Sequence, residues 1–316
     1  MMIVSTIHMR KDIRERLTET YPDHEFRFHK QIESAEEDLP KADIILTYGM
    51  DLEARHIESA KRLKWINVMS SGVDKLPMDV IKNRDILITN ARGIHAIQMA
   101  EYTIAMMLQA ARQTKTLIHQ EREREWFRKL PIRELYGHQV GILGTGAIGS
   151  EIAKRTDAFG MTTTGFNRSG KKPDHFDAVH TIDQLPERIS ELDYLVAVLP
   201  RTEETDQLLN EALFSKMKAS AVLINIGRGN VIHEEDLLKA LQSNALDHAI
   251  LDVFNEEPLP KDHPFWFDKN ITVTPHMAGL SPEYQPRAVD QFDYNMKKFV
   301  HGDTDFLNQI DTERGY

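Results

Sequence analysis

The stretch Gln139-Val140-Gly141-Ile142-Leu143-Gly144-Thr145-Gly146-Ala147-Ile148-Gly149-Ser150 constrains the fold more than any other part of this chain. A short apolar run that reads as a buried strand ends in Gly-x-Gly-x-x-Gly and passes at once into a helical pattern, Ser150-Glu151-Ile152-Ala153-Lys154-Arg155. Strand, glycine turn and helix in that order make a place to hold a dinucleotide. Gly144 allows the tight turn, Gly146 lets a pyrophosphate approach the backbone, and Gly149 lets helix and strand pack closely. The phosphates then face the positive N-terminus of the helix. The competing reading is a glycine-rich turn with no ligand, and the strand-before, helix-after context argues against it.

Around this loop the chain alternates between apolar, β-rich runs and helix-period segments. Before it come Met2 to Thr6, a helix around Ile13 to Tyr21, Glu25 to Phe28, Ile44 to Thr47, a helical Leu52 to Leu63, Trp65 to Met69, and Ile86 to Thr89. Such alternation specifies crossover units on a parallel sheet. This block has no phosphate loop of its own and reads as a smaller α/β domain. Ala96 to Leu117, without Pro or Gly, is one long helix that connects two domains or fills a core. After the loop the strands are Thr162 to Phe166, Tyr194 to Leu199, Ala221 to Ile226, His248 to Phe254 and Ile271 to Thr274, six in all with Val140. Helices fall around Glu211 to Met217 and Glu234 to Ser243. Pro282 to Val300 has helical period with Phe292, Met296 and Phe299 on one side, and the polar residues after Gly302 read as a loosely packed end. The fold expected is α/β with two doubly wound parallel-sheet domains: a Rossmann-type cofactor domain, 92–282, inserted into a smaller flavodoxin-like substrate domain made of 1–91 and 283–316.

Composition removes several function classes. The 316 residues are 41% hydrophobic, enough for two sizeable cores, and the net charge of -10 with no basic stripe argues against a nucleic-acid partner. There is no cysteine, which excludes disulfides, thiolate metal sites and cysteine nucleophiles; no metal is expected. No signal peptide and no bilayer-spanning run is visible, so a cytoplasmic location without membrane contact is the expectation.

In open parallel sheets, ligands bind beyond the carboxyl ends of the strands. The residues there are Asn167-Arg168-Ser169, Pro200-Arg201-Thr202, Gly227-Arg228-Gly229, Asn255-Glu256-Glu257-Pro258 and His276. An arginine, one or two carboxylates and a histidine therefore share a rim with the phosphate loop. A hydride-carrying cofactor does the difficult chemistry, while the protein orients a carbonyl, stabilises charge on its oxygen and exchanges a proton. An Arg-Glu-His set supplies all three. Each also has a bland reading: a surface arginine in a Gly-Arg-Gly turn, a solvated carboxylate, a structural histidine.

These stretches resemble the D-isomer-specific 2-hydroxyacid dehydrogenase family, in particular its glyoxylate/hydroxypyruvate reductase-like members. The similarity runs through Ser71-Gly72-Val73-Asp74, Asn90, Ala100-Glu101, Leu135-Tyr136-Gly137, the glycine loop and Asn225-Ile226-Gly227-Arg228-Gly229. It continues through Leu251-Asp252-Val253-Phe254-Asn255-Glu256-Glu257-Pro258-Leu259 and Thr274-Pro275-His276-Met277-Ala278-Gly279. The resemblance implies a split substrate domain, an inserted cofactor domain, a cleft between them and a homodimer. It implies that Arg228 holds the substrate carboxylate and polarises the 2-keto oxygen, a task that suits a bidentate guanidinium. His276 then exchanges the proton, and Glu257, directly before proline, fixes its tautomer and favours the imidazolium, with Glu256 as the local competitor. Asp252 corresponds to an aspartate that contacts the nicotinamide amide, its competing role being a strand-end hydrogen bond. Cofactor contacts are expected at Gly144, Thr145, Gly146, Ala147, Ile148, Asn167, Arg168, Ser169, Pro200, Thr205, Ile226, Asp252, His276 and Ala278. Substrate contacts are expected at Ser71, Gly72, Val73, Arg228 and Tyr48, with Trp126 a candidate pocket wall from either subunit.

The second cofactor-domain strand departs from the NAD-using pattern. A carboxylate for the ribose 2′-OH is expected at its end, but the chain has Asn167-Arg168-Ser169 followed by Lys171 and Lys172. Arg168 suits a 2′-phosphate, so NADP(H) is favoured with NAD(H) possible. The competing reading is a solvated basic turn that tolerates both. The function expected is an oxidoreductase reducing glyoxylate, hydroxypyruvate or a short branched 2-keto acid to the D-2-hydroxy acid. The alternative is a non-catalytic, dinucleotide-sensing regulator on the same fold.

Overall fold

The structure, a computed structural model, describes residues 1–73 and 75–312. Asp74 of the Ser71-Gly72-Val73-Asp74 stretch and the last four positions of the expected 283–316 segment lie outside the described residues. The chain divides into two compact units, Met1–Ile94 with Ser281–Tyr316, and His95–Leu280.

In the first unit, strands β1 (Met2–Ser5), β2 (Glu25–Phe28), β3 (Ile44–Thr47), β4 (Trp65–Val68) and β5 (Leu87–Asn90) form a parallel sheet in the order β2-β1-β3-β4-β5. This is the flavodoxin-type order. The strands read as unbroken apolar runs because both faces are covered. Val4, Ile45, Ile66 and Val68 face one core with Ile57 and Ile81, while Ile3, Ile44, Leu46 and Trp65 face another with Ile13 and Leu17. The helix Tyr284–His301 closes the second of these cores through Ala288, Val289, Phe292 and Met296, and Phe292 stacks on Trp65 at 5.2 Å. It ends at Gly302, whose φ of +80° is the left-handed stop a glycine supplies at a helix C-terminus.

Residues 307–310, part of the segment expected as a loose end, are held in place. Asn295 exchanges two hydrogen bonds with the Leu307 backbone, at 2.8 and 2.9 Å. The Ile310 N-H donates to the Ile88 carbonyl at 2.9 Å, the Asn90 N-H donates to Asn308, and Ile310 is buried. A polar segment without periodicity still satisfies an exposed strand edge with its backbone, and backbone partners leave no mark on composition.

In the second unit, strands β6 (Gln139–Leu143), β7 (Thr162–Asn167), β8 (Ala178–Thr181), β9 (Tyr194–Ala197), β10 (Val222–Asn225), β11 (His248–Leu251) and β12 (Ile271–Val273) run parallel in the order β12-β11-β10-β9-β6-β7-β8. The order reverses between β6 and β9, the switch point where doubly wound sheets bind ligands. Seven strands are present rather than the expected six. The extra one, β8, lies at the sheet edge with every residue only half-buried, so it lacks the apolar run by which the others are read. The stretch expected as one helix from Ala96 to Leu117 is two, Ala96–Ala111 and Thr114–Glu123. The break is at Gln113, held at φ +55°, whose backbone N-H and side-chain amide both donate to the Ala110 carbonyl. No proline or glycine announces it. Among the described residues, no helix is long and apolar enough to cross a membrane.

Candidate active site

The three glycines of the loop do different work. Gly144 has φ +98°, and a Cβ there would sit 2.8 Å from the Val198 carbonyl oxygen, so both conformation and space demand glycine. Gly149, in the first turn of the helix Ala147–Ala158, faces the Gly144 carbonyl so closely that no side chain fits. Gly146 is the N-cap, is exposed, and a Cβ on it would meet nothing within 4 Å. Backbone N-H groups at a bare helix N-terminus beside open space fit a pyrophosphate. No acidic side chain occupies that first turn. Thr145, Ala147 and Ile148 complete this wall, with Ala147 exposed and Thr145 and Ile148 half-buried.

Asn167, at the end of β7, spends its whole carboxamide internally. Its Nδ2 donates to Thr145 Oγ1 at 2.7 Å and to the Lys171 carbonyl at 2.8 Å, while its Oδ1 accepts from the N-H groups of Ser169 at 3.0 Å and Gly170 at 2.6 Å. It therefore ties the basic turn to the glycine loop, leaving Arg168 and Ser169 exposed beside it. Arg168 shares this rim with a carboxylate. Glu204 is held below the usual range by its own backbone N-H, by the Thr202 hydroxyl and, more weakly, by Arg168. Lys172 is turned to the Asp177 carbonyl at 2.9 Å. On the neighbouring loop Pro200 is exposed, but Thr205 is buried and donates to the Pro200 carbonyl at 2.7 Å, closing the loop on itself.

Arg228 follows β10. Ile226, Gly227, Gly229 and Asn230 around it are buried, and Arg228 alone is exposed. Asn225, fully buried, accepts the Gly227 N-H at 3.1 Å and donates to the Arg228 carbonyl at 2.9 Å, which fixes the loop that presents the guanidinium. Asn225 stands in a stretch that carries the resemblance, but its role is not legible in the sequence because nothing in a strand-end asparagine announces its partners.

His276 follows β12 with φ +52°, a left-handed conformation uncommon for a residue with a side chain. Asp252, 1% exposed at the end of β11, imposes it. Its backbone carbonyl accepts the His276 N-H at 2.9 Å, and its carboxylate accepts the N-H groups of Met277 at 2.9 Å and Ala278 at 2.8 Å and the Thr274 hydroxyl at 2.6 Å. Tyr102 reaches the same Thr274 hydroxyl at 2.5 Å. The described bonds of the Asp252 carboxylate thus all serve the loop that carries the histidine, while its N-H donates to the Asn225 carbonyl at 3.0 Å, and neither Thr274 nor Tyr102 is given such a role by the sequence.

The imidazole of His276 is about half exposed, and its Nδ1 meets Glu257 Oε2 at 2.7 Å. The other carboxylate oxygen of Glu257 accepts the Phe254 N-H at 3.0 Å. Glu256 is exposed and makes no described ion pair. Burial pushes the Glu257 carboxyl up, but the hydrogen bonds from His276 and Phe254 and the charges of His276 and Arg228 outweigh it and hold the group below the usual carboxylate range. A carboxylate on Nδ1 leaves Nε2 to exchange a proton with whatever faces it. His95 also lies near Arg228: burial lowers its pKa, a hydrogen bond to the Gly279 carbonyl opposes this, and the Arg228 charge adds to the lowering. The geometry can therefore hold an anion on Arg228, cycle a proton at His276 and bind phosphates at the glycine loop. Among the described residues no cluster suits a metal ion.

In the first unit, Tyr48 follows β3 and Ser71-Gly72-Val73 follows β4, so both lie at the carboxyl edge of that sheet. Ser71 and Gly72 are exposed, Val73 is buried and Tyr48 is half-buried. Asn90 donates to the Ser71 carbonyl at 2.7 Å, and the Tyr48 hydroxyl accepts from Gln285 at 3.2 Å.

Residues 104–278 match the family model described as D-isomer specific 2-hydroxyacid dehydrogenase, NAD binding domain. The chain is 34% identical over 271 residues to the glyoxylate reductase of Aeropyrum pernix, covering 83% of this chain and 81% of that one. It is 32% identical over 270 residues to the D-3-phosphoglycerate dehydrogenase of Methanocaldococcus jannaschii, 84% of this chain, but spans only about half (51%) of that protein's length. Among solved structures, a D-isomer specific 2-hydroxyacid dehydrogenase family protein from Aeromonas salmonicida superposes with TM-score 0.84 at 33% identity, covering 98% of this chain and 99% of that one. The NADPH-dependent glyoxylate/hydroxypyruvate reductase of Sinorhizobium meliloti, solved with NADP and sulfate, gives TM-score 0.79 at 26% identity, covering 100% and 99%.

Proposed function

The chain belongs to the D-isomer specific 2-hydroxyacid dehydrogenase family, an NAD(P)-dependent oxidoreductase family, and from that premise we propose that it reduces a small 2-keto acid to the D-2-hydroxy acid with NADPH. The observation that carries this reading is the 2.7 Å pair of His276 and Glu257 beside the exposed Arg228. In it, the 92–282 segment binds the cofactor, and the nicotinamide supplies the hydride. Arg228 binds the substrate carboxylate and draws electron density from the keto oxygen, while the Ser71-Gly72-Val73 backbone and Tyr48 of the first unit are the remaining substrate contacts. His276 gives its Nε2 proton to the oxygen as the alcohol forms, and Glu257 keeps Nδ1 protonated and stabilises the cation before transfer. Glyoxylate, hydroxypyruvate and short branched 2-keto acids are the substrates proposed. The exposed Arg168 and the NADP held by the Sinorhizobium protein support the phosphorylated cofactor.

The reading includes a cytoplasmic homodimer. Its support is a set of exposed apolar side chains, Leu117 and Ile118 on the helix Thr114–Glu123 and Trp126 and Phe127 just after it, with Trp126 93% exposed. Sedimentation of the purified protein tests the dimer. The activity is tested by following NADPH and NADH absorbance against a panel of 2-keto acids. Consumption of NADPH with a short 2-keto acid is expected. Tight NADPH binding with no turnover on any acid would favour the dinucleotide-sensing alternative.

A further inference from the structure

At the amino ends of β11 and β12, on the edge of the second sheet away from the glycine loop, lies a cavity of about 390 Å³. Three side chains converge there on one hydroxyl: His248 Nε2 is 2.9 Å from Thr272 Oγ1, and Gln109 Nε2 and Lys115 Nζ are each 3.4 Å from it. A hydroxyl has one proton to give and two lone pairs, so Thr272 can donate to the neutral His248 ring and accept from Gln109 and Lys115, which uses its full capacity. Lys115 has one further contact, the Ile271 carbonyl at 3.2 Å, and no described carboxylate pairs with it. An ammonium has three N-H donors, and the described acceptors of Lys115 are two, the Ile271 carbonyl and the Thr272 hydroxyl.

The charges tell the same story. Among the described residues lining the cavity, Asp247 is the one carboxylate, and Arg133 already holds it at 3.0 Å. That pair cancels, leaving the positive charges of Lys115 and Lys269. We propose that this cavity binds a small multivalent oxyanion, phosphate or a di- or tricarboxylate, which Lys115 and Lys269 neutralise and Gln109 helps to hold. Two cations lining one cavity match a dianion in charge, and charge-assisted bonds are the strong ones. The Lys115 charge also reaches His248: burial and then that charge push the pKa of the ring down to about 4 against the opposing charge of Asp268. A bound anion reverses the effect of Lys115 and makes the protonated ring easier to form.

The test is thermal unfolding of the cofactor-saturated protein in inorganic phosphate or citrate against sodium chloride at equal ionic strength. The proteins compared are the wild type, a Lys115→Gln/Lys269→Gln variant and Arg228→Gln. Either oxyanion is expected to stabilise the wild type beyond chloride in a saturable way, and which one does so at lower concentration identifies the source. Arg228→Gln should keep the effect, and the double-lysine variant should need at least about 10-fold more anion, the worth of one lost charge-assisted bond. No gain over chloride in the wild type, an unchanged response in the lysine variant, or loss of the effect in Arg228→Gln overturns the proposal. Should the lysine variant not fold, the His248 ring is followed by proton NMR in the wild type. Its titration midpoint should rise in sulfate, which stays dianionic at that pH, relative to chloride; an unmoved midpoint overturns the proposal equally.

Discussion

His276 Nδ1 lies 2.7 Å from Glu257 Oε2, and the backbone of His276 is held in a left-handed conformation by Asp252, so one carboxylate engages the ring while a second engages the loop that carries it. The two can be separated by mutation. His276→Gln should lower kcat by about 10²- to 10⁴-fold, the range for general acid-base catalysis, with little change in the dissociation constant of NADPH. Near-normal turnover would remove His276 from the mechanism.

Glu257→Gln replaces an anion by a neutral amide of similar shape. Glu257 lies below the usual carboxylate range, so it stays ionised beside His276 as the pH falls through about 4.5, and the pair weakens only below that. Without the anion the imidazolium loses a partner. The kcat for keto-acid reduction should then fall while the KM for the keto acid changes little, and an unchanged kcat would mean that Glu257 does not support the proton donor.

Asp252→Asn keeps the shape but puts an amide nitrogen where the N-H groups of Met277 and Ala278 need acceptors. Leaving one buried donor unmet costs about 1 to 3 kcal/mol. The variant should unfold at lower urea concentration and lose kcat as the His276 loop shifts. Wild-type stability with wild-type kcat would contradict the role given to Asp252.

Arg168→Ala should raise the KM for NADPH roughly 10- to 100-fold, the equivalent of one charge-assisted hydrogen bond of about 1.5 to 3 kcal/mol, and leave NADH nearly unchanged. Asn167→Asp acts differently from a plain exchange of charge. The Nδ2 donor to Thr145 and Lys171 is lost and a carboxylate oxygen faces the Lys171 carbonyl, so the turn that presents Arg168 should loosen and NADPH should suffer more than NADH. Equal effects on both cofactors would make the basic turn a solvated loop.

His248 gives a stability prediction. Its folded pKa, pushed down by burial and Lys115 to about 4, lies below the value of about 6.5 in the unfolded chain. The unfolded state therefore takes up the proton first. The contribution is complete above pH 6.5 and is lost as the pH falls toward 4, by up to about 3 kcal/mol. Urea unfolding of His248→Gln at pH 7.5 and pH 4.5 should show a smaller loss than the wild type over that interval, and an identical loss would place the proton elsewhere.

Much of this protein is legible along the chain. The alternation of apolar runs and helical periods determines two parallel sheets, because strands buried on both faces admit apolar side chains almost throughout, as in Ile44 to Leu46 and Val222 to Ile224. The glycine spacing determines where a dinucleotide can sit, since each glycine meets a local steric demand set by its immediate neighbours. Weak edges are not legible. β8 has no apolar run, and the Gln113 break and the pinned residues 307–310 depend on backbone partners that composition does not record.

Within the site, the sequence determines which residue types stand after which strands: Asn167, Arg168, Arg228, Glu257 and His276. It does not determine what each is bonded to. Glu257 meets His276 across 19 residues while its neighbour Glu256 points to solvent. Asp252 holds a loop 25 residues away, and Asn167 reaches back 22 residues to Thr145. These partners meet only when parallel strands align in register and deliver their carboxyl ends to one rim. A hydrogen bond depends on tenths of an ångström in the folded chain, whereas motif and periodicity record only which groups are available to make it.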